Sequence, residues 1–185
     1  MKLIVTDYVY EIGEVVTDII YDYKKTKLSA SIAFGKTNPK MKIKEAIQNA
    51  VSNQEINFNY DTFNYCDVQN DYDELKELFG NVGDVSRSDI VITTIDEEGR
   101  IGLNGKALDF NTVIHEENGI KTLGIKDILR ADELIVVASG PKVAKMVEYI
   151  LDSEEEPSIP ATVLPSFENV TLIIDKLAAK YVKDE

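Results

Sequence analysis

The stretch Glu133-Leu134-Ile135-Val136-Val137-Ala138-Ser139-Gly140-Pro141-Lys142-Val143-Ala144-Lys145 decides the fold class. It contains five consecutive apolar residues, three of them β-branched, which predict a strand buried on both faces, as in parallel sheets. Ser139-Gly140 then predicts a turn. Apolar residues recur beyond it at helical spacing, at Val143, Met146, Val147, Ile150 and Leu151. The whole stretch therefore predicts one strand–turn–helix unit of an α/β sheet.

The turn of this unit has the properties of an anion-binding site. The first backbone N–H groups of a helix have no partner within the helix, and together with the helix dipole they favour phosphate. Lys142 and Lys145 add positive charge nearby. The alternative is an ordinary strand–helix unit with solvated lysines, because glycine turns of this kind are common.

Composition limits the function classes. The chain of 185 residues predicts one domain, 1–185, and its net charge of -13 argues against nucleic acid or an anionic membrane as partner. The single cysteine excludes an intrachain disulfide. An early acidic residue argues against a signal peptide, and no apolar run approaches the ~18 residues of a membrane span. We expect a cytoplasmic protein with no metal or other cofactor, because no motif for either is present.

Strand and helix patterns alternate along the chain. Strands are predicted at 2–6, 28–34, 56–60, 89–95, 133–138, 161–164 and 170–174. Helices are predicted at 12–23, 39–50, 72–79, 124–130, 143–151 and 176–182. This alternation predicts a Rossmann-like α/β fold, a single three-layer domain whose mainly parallel central sheet is flanked by helices. In such folds the loops that follow the strands meet at one edge of the sheet, where ligands bind.

A second loop of the same kind follows the strand predicted at 28–34. Gly35, Lys36 and Thr37 can cradle a phosphate through backbone N–H groups and one positive charge. They can equally form a plain entry to the helix predicted at 39–50. The sequence does not decide between these two interpretations.

Several segments resemble one known family. They include Thr122-Leu123-Gly124-Ile125, Ile159-Pro160-Ala161-Thr162-Val163-Leu164 and Asn169-Val170-Thr171-Leu172-Ile173-Ile174-Asp175. This part of the chain resembles the C-terminal part of the glucosamine-6-phosphate isomerase/deaminase family, which is related to the 6-phosphogluconolactonases. Upstream, Gly99-x-Ile101-x-x-Asn104 is similar to the family motif Asp-Gly-His-Ile-Ala-Phe-Asn-Glu. The resemblance implies the fold of that family.

The resemblance also implies a reaction, the aldose–ketose isomerisation of a hexosamine phosphate with loss of ammonia. Thr62-Phe63-Asn64 is similar to the segment that precedes the family's catalytic Asp. Aligned without gaps, Cys66 falls at that position and Asp67 follows it. Asp67 and Glu98, the latter at the position of the motif's Asp, are the candidates for acid/base catalysis.

Other positions depart from the family pattern. Arg100 stands where the motif has its ring-opening His, and Gly105 replaces the closing Glu. An arginine stays protonated at every working pH and cannot carry that proton. The family's phosphate-binding Lys falls on Val143, with Lys142 displaced by one position.

These patterns lead to one set of candidate residues and three functional hypotheses. The predicted substrate-binding residues are Gly35, Lys36, Thr37, Gly99, Arg100, Asn104, Gly140 and Lys142. The first hypothesis is a divergent enzyme that acts on a phosphorylated amino sugar, and the second is an inactive protein that binds such a sugar. The third is a regulatory or oligomerisation protein on the same scaffold. The expected partner is a small phosphorylated sugar, and the sequence leaves a homo-oligomer open.

Overall fold

A five-stranded parallel sheet forms the centre of the computed structural model, which describes residues 1–27, 32–35, 37–53, 88–105, 114–117 and 120–183. The strands of the sheet are β1 (Lys2–Thr6), β2 (Ile32–Phe34), β3 (Ile90–Thr94), β6 (Glu133–Ala138) and β7 (Val170–Asp175). They lie in the order β1-β7-β6-β3-β2, and every neighbouring pair is parallel. A separate antiparallel hairpin consists of β4 (Ile114–Glu117) and β5 (Ile120–Leu123). The parallel arrangement confirms the predicted fold class.

Helices cover both faces of the sheet. The described α-helices are α1 (Glu11–Thr26), α2 (Ile43–Ser52), α3 (Ile125–Leu129) and α4 (Ala144–Asp152). Helices α1 and α2 pack on one face, whereas α3 and α4 pack on the other. No helix in the described ranges is long and apolar enough to cross a membrane.

Strand β6 is buried on both sides, as its apolar run predicts. Its alternate residues Ile135 and Val137 join the core beneath α1 and α2, and Leu134, Val136 and Ala138 join the core beneath α4. All five are buried. Continuous hydrophobicity is what a central parallel strand requires, because neither of its faces meets water.

Two secondary-structure predictions are wrong. Residues 161–164 do not form a strand, because they lie within a 3₁₀ helix, Pro160–Ser166. Pro160 suits the start of a helix, whereas Pro160 and Pro165 both lack the N–H that a strand ladder needs. Residues 176–181 form successive turns instead of the predicted helix. The predictions at 56–60 and 72–79 lie outside the described residues.

Candidate functional site

A pocket of about 770 Å³ opens at the carboxyl edge of the sheet. Its walls come from three segments that follow or end β2, β3 and β6, namely 37–41, 94–97 and 137–143. The helices after β2 and β6 lie on opposite faces of the sheet, so a crevice opens beside β3, which lies between them. Ligands of parallel α/β sheets bind in crevices of this kind.

The turn after β6 is anchored from below by a buried carboxylate. Gly140 has φ +83°, and its N–H donates to Asp175 Oδ1 at 3.0 Å and to Oδ2 at 3.2 Å. Asp175 Oδ1 also accepts from Ala178 N at 2.8 Å. A Cβ placed on Gly140 would meet no atom within 4 Å, so space remains open above the turn. Lys142 is exposed and lines the pocket.

The segment after β2 forms the opposite wall. Gly35 N donates to Ile92 O at 2.6 Å, which keeps this backbone close to β3. A Cβ on Gly35 would lie 3.0 Å from Thr93 Oγ1, so a larger residue would push the segment away. The side chain of Asn38 accepts from Lys40 N at 3.0 Å and starts a 3₁₀ helix, Pro39–Met41. Together these contacts place Thr37 in the pocket wall.

Asp96 organises the turn after β3. Its Oδ1 accepts from Glu98 N at 3.0 Å and from Arg100 N at 3.1 Å, an arrangement typical of turns that start with Asp. Its Oδ2 accepts from Arg100 Nε at 2.6 Å. Asp96 and Glu97 line the pocket, whereas Glu98 and Arg100 do not. The Glu98 side chain is 68% exposed and its Oε2 lies 3.7 Å from Arg100 Nε.

Two other motif residues make internal contacts in this turn. Gly99 has φ +72°, and a Cβ on it would clash with Ile159 Cγ2. Asn104 is fully buried, and its Nδ2 donates to Ile101 O at 3.0 Å and to Leu123 O at 2.8 Å. Its Oδ1 has no partner in the part of the chain that the structure describes. These contacts give both residues a structural role, and a role in ligand binding stays a prediction.

The two residues that depart from the family motif, Arg100 and Gly105, lie against each other. A Cβ placed on Gly105 would lie 3.1 Å from Cδ and 3.3 Å from Cγ of Arg100. The aliphatic part of Arg100 therefore occupies space that a larger residue at position 105 would restrict. A Gly at this position makes room for the long side chain that replaces the family's His.

The structure places Thr37, Gly140 and Lys142 around one pocket, with Gly35 just behind its wall. The candidates Lys36 and Asp67 lie outside the described residues. Sequence reasoning missed Asp96, Glu97 and Asp175 as site residues. Asp175 could have been predicted as a site residue, because it is a polar residue at the end of an apolar strand. No group of three His, Cys, Asp or Glu side chains in the described ranges is arranged to hold a metal ion.

Comparison with known proteins identifies relatives. Over 128 residues the chain is 29% identical to a glucosamine-6-phosphate deaminase of Bacillus pumilus, which corresponds to 58% of this chain and 51% of that protein. Over 112 residues it is 32% identical to the enzyme of the same name from Staphylococcus epidermidis, at 49% of this chain and 46% of that protein. The chain thus spans about half the length of the curated relatives that it matches. No protein-family model matches the chain.

Solved structures extend the likeness to the whole fold. A monomeric glucosamine-6-phosphate deaminase matches with a TM-score of 0.77 and 18% identity, over 97% of this chain and 99% of that chain. A 6-phosphogluconolactonase from Leishmania guyanensis matches with a TM-score of 0.71 and 12% identity, over 99% of both chains. The predicted resemblance is therefore confirmed: the chain is similar in sequence to glucosamine-6-phosphate deaminases, and it has the same fold as one of them and as a 6-phosphogluconolactonase.

Proposed function

We propose that the pocket at the carboxyl edge of the sheet binds a phosphorylated amino sugar. The observation that carries this proposal is the position of Lys142 at the start of α4, on the wall of a pocket whose other walls come from the ends of β2 and β3. The names of the curated relatives support the same ligand class, because both are glucosamine-6-phosphate deaminases.

The charged side chains around the pocket favour one orientation of the bound sugar phosphate. Lys40 and Lys142 supply positive charge on two walls, and Asp96 and Glu97 supply negative charge on the third. The phosphate would bind near Lys142 and the first N–H groups of α4, because both favour an anion. The ammonium and hydroxyl groups of the sugar would lie near Asp96 and Glu97, which accept hydrogen bonds.

The proposal includes turnover, with Asp67 and Glu98 as the acid/base candidates predicted from the sequence. A base must move a proton between adjacent carbons, and a second group must open the sugar ring. Glu98 is exposed and directly follows Glu97, which lines the pocket, so the Glu98 side chain would have to reach the ligand from outside the wall. The deaminase reaction is the form of turnover that the relatives' names favour.

Binding without turnover is the second candidate function, and one contact favours it. Arg100 occupies the position of the motif's ring-opening His, and its guanidinium is bound to Asp96 at 2.6 Å. A guanidinium in an ion pair keeps its protons at every working pH. A protein with this arrangement would hold the sugar phosphate and leave the ring closed.

Calorimetric titration with glucosamine 6-phosphate, glucose 6-phosphate and unphosphorylated glucosamine tests the proposal. We expect binding in the order given, because glucosamine 6-phosphate alone satisfies both the positive and the negative wall. An ammonia-release assay on the same samples then separates the two functions, since turnover supports the first and binding without ammonia supports the second. Absence of binding to both phosphorylated sugars would refute both functions.

A matched pair of lysine variants locates the phosphate. Lys142→Ala should weaken binding of glucosamine 6-phosphate about tenfold, the loss of roughly one charge-assisted hydrogen bond. Lys145→Ala removes the same charge from an exposed position on α4 that does not line the pocket, and it should change the affinity less than about twofold. Equal losses in the two variants would show a general charge effect instead of a site.

A further inference from the structure

Helix α1 approaches the segment 37–42, which follows β2, very closely at Gly13. A Cβ placed on Gly13 would lie 2.7 Å from Lys42 O, 2.8 Å from Lys42 C and 2.8 Å from Met41 O. These atoms all belong to the backbone, so no side-chain rotation could move them out of the way. Gly13 is buried, and only a residue without a side chain fits at this crossing.

The backbone of Lys42 has a strained conformation at this crossing. Its φ is 54° and its ψ is 24°, and it is the only non-glycine residue with a positive φ in the described ranges. Residues other than glycine rarely adopt this conformation and keep it only where the surrounding structure holds them. Lys42 lies between the 3₁₀ helix Pro39–Met41 and α2, and its carbonyl accepts from Ala46 N at 2.9 Å. The contact with Gly13 therefore supports the chain where it passes from the pocket wall into α2.

Hydrogen bonds join the residues of this segment into one unit. Lys42 N donates to Pro39 O at 3.0 Å. Asn38 accepts twice, through its O from Met41 N at 2.9 Å and through its Oδ1 from Lys40 N at 3.0 Å. Four of these five residues line the pocket, and Lys42 is the exception. A shift of the backbone where the segment meets α1 would therefore also move the pocket wall.

We propose that Gly13 is a positioning residue of the candidate site. Gly13 does not line the pocket, but the segment 37–42 packs directly on its main chain. Its lack of a side chain thereby determines where Thr37 and Lys40 lie relative to Lys142 on the opposite wall. The consequence for sugar binding rests on the proposed function, whereas the position of the wall does not.

The neighbours of Gly13 distinguish it from Gly99, the other described glycine at which a Cβ would clash. The atoms nearest to a Cβ on Gly99 belong to the side chains of Ile159 and Met146, and a side chain can adapt through its rotamers. The three atoms nearest to a Cβ on Gly13 are all backbone, and that backbone continues into the pocket wall. A substitution at Gly13 would therefore displace the wall in addition to crowding the core.

Amide chemical shifts, measured by NMR without any ligand, test the position of the wall. Trimethylamine N-oxide is present throughout, because it favours the folded state. In Gly13→Ala we expect shift changes at the amides of Asn38 and Lys40, while the amides of the opposite wall after β6 stay unchanged. Ile20→Ala, at a buried position two turns further along α1, is the control and should leave Asn38 and Lys40 unchanged. Changes confined to α1, equal changes in the control, or a Gly13→Ala variant that does not fold would each overturn the proposal.

Calorimetric titration with glucosamine 6-phosphate then tests the consequence for the site. Gly13→Ala should weaken binding about tenfold, because a displaced wall loses roughly one hydrogen bond to the ligand. Ile20→Ala leaves a core cavity, which generally costs more stability than one added methyl group, and it should change the affinity less than about twofold. An unchanged affinity of Gly13→Ala, or a similar loss in both variants, would overturn the proposal. If the wild-type protein bound no phosphorylated sugar, the proposed function would be refuted, and the amide shifts alone would decide this proposal.

Discussion

The turn after β6 leaves its main chain open to the pocket, whereas the turn after β3 is packed against the protein's own interior. A Cβ on Gly140 would have no atom within 4 Å, but a Cβ on Gly99 would clash with the side chain of Ile159. Both glycines have positive φ, at +83° and +72°. One backbone conformation therefore leaves open space above one turn and allows close packing at the other.

A similar contrast separates the charged groups of the two turns. Lys142 is exposed beside the pocket, while Arg100 is bound to Asp96 through a 2.6 Å contact. Residues that match a family motif are therefore not equivalent as site candidates. Those after β6 are available to a ligand, and those after β3 chiefly stabilise their own turn.

Alanine at the two glycines gives the largest expected difference. Gly99→Ala adds a steric clash to the cost of a positive φ and should lower the free energy of unfolding by about 3–4 kcal/mol. Gly140→Ala adds only the conformational cost and should lower it by about 1–2 kcal/mol. Urea denaturation of the two variants measures both values. Equal losses would mean that Gly99 is not tightly packed.

Removal of the Asp175 carboxylate should destabilise the open turn. Asp175→Ala leaves the N–H groups of Gly140 and Ala178 without their buried acceptor, and we expect a loss of about 2–3 kcal/mol in unfolding free energy, measured by urea denaturation. Asp175→Asn retains one oxygen acceptor and should lose less. If the Asn variant lost as much as the Ala variant, the negative charge, and not the hydrogen bonds, would hold the turn.

Binding affinity should distinguish Lys142 from Arg100. Lys142→Ala should weaken glucosamine 6-phosphate binding about tenfold, and Arg100→Ala should weaken it by less than about threefold, because Arg100 does not line the pocket and its guanidinium is bound to Asp96. Calorimetric titration of both variants provides the comparison. A larger loss for Arg100→Ala would show that this side chain reaches the ligand directly.

The smallest expected effect is a pH dependence at the other end of β6. Burial raises the pKa of the Glu133 carboxyl above 4.5, although a hydrogen bond from Thr171 opposes the shift. A raised pKa means that ionisation of Glu133 costs stability as the pH rises above 4.5. Glu133→Gln should therefore stabilise the protein at about pH 7 by less than about 1 kcal/mol, and this gain should disappear below about pH 4.

Thermal unfolding at several pH values measures this gain. Glu168→Gln removes a carboxylate from an exposed position and serves as the control for the change in net charge. We expect no pH-dependent gain from that control. A gain of equal size in both variants would attribute the effect to the overall negative charge of the chain.

The sequence alone predicts the elements whose residue pattern is local. The apolar run of β6, the turn at Gly140 and the spacing of α4 were predictable because burial on both faces and helical periodicity leave direct traces in the residues. The prediction at 161–164 failed because a short buried segment with three apolar residues fits a strand or a turn of helix equally well. The flanking prolines Pro160 and Pro165 were the signal that favoured the helix.

The predicted helix at 176–182 starts as expected but does not continue. Asp175 begins it as an N-cap residue does, because its side chain accepts from Ala178 N and its carbonyl accepts from Ala179 N, and the turns end at residue 181. The site shows a different limit of sequence reasoning. Thr37 and Lys142 could be predicted from their loops, and Asp96 pairs with Arg100 only four positions away, but the contact of Asp175 with Gly140 spans 35 positions and depends on how the chain folds back on itself. Motif spacing alone does not supply that information.

The position of β1 beside β7 has a consequence for biosynthesis. A hydrogen bond from Thr6 Oγ1 to Ile174 O joins residues separated by 168 positions in the chain. During translation β1 leaves the ribosome well before β7, its neighbour in the sheet. Contacts between such distant segments form slowly, because a long loop must close first. The nascent chain would therefore carry an unpaired apolar strand until β7 has been synthesised and can dock beside it.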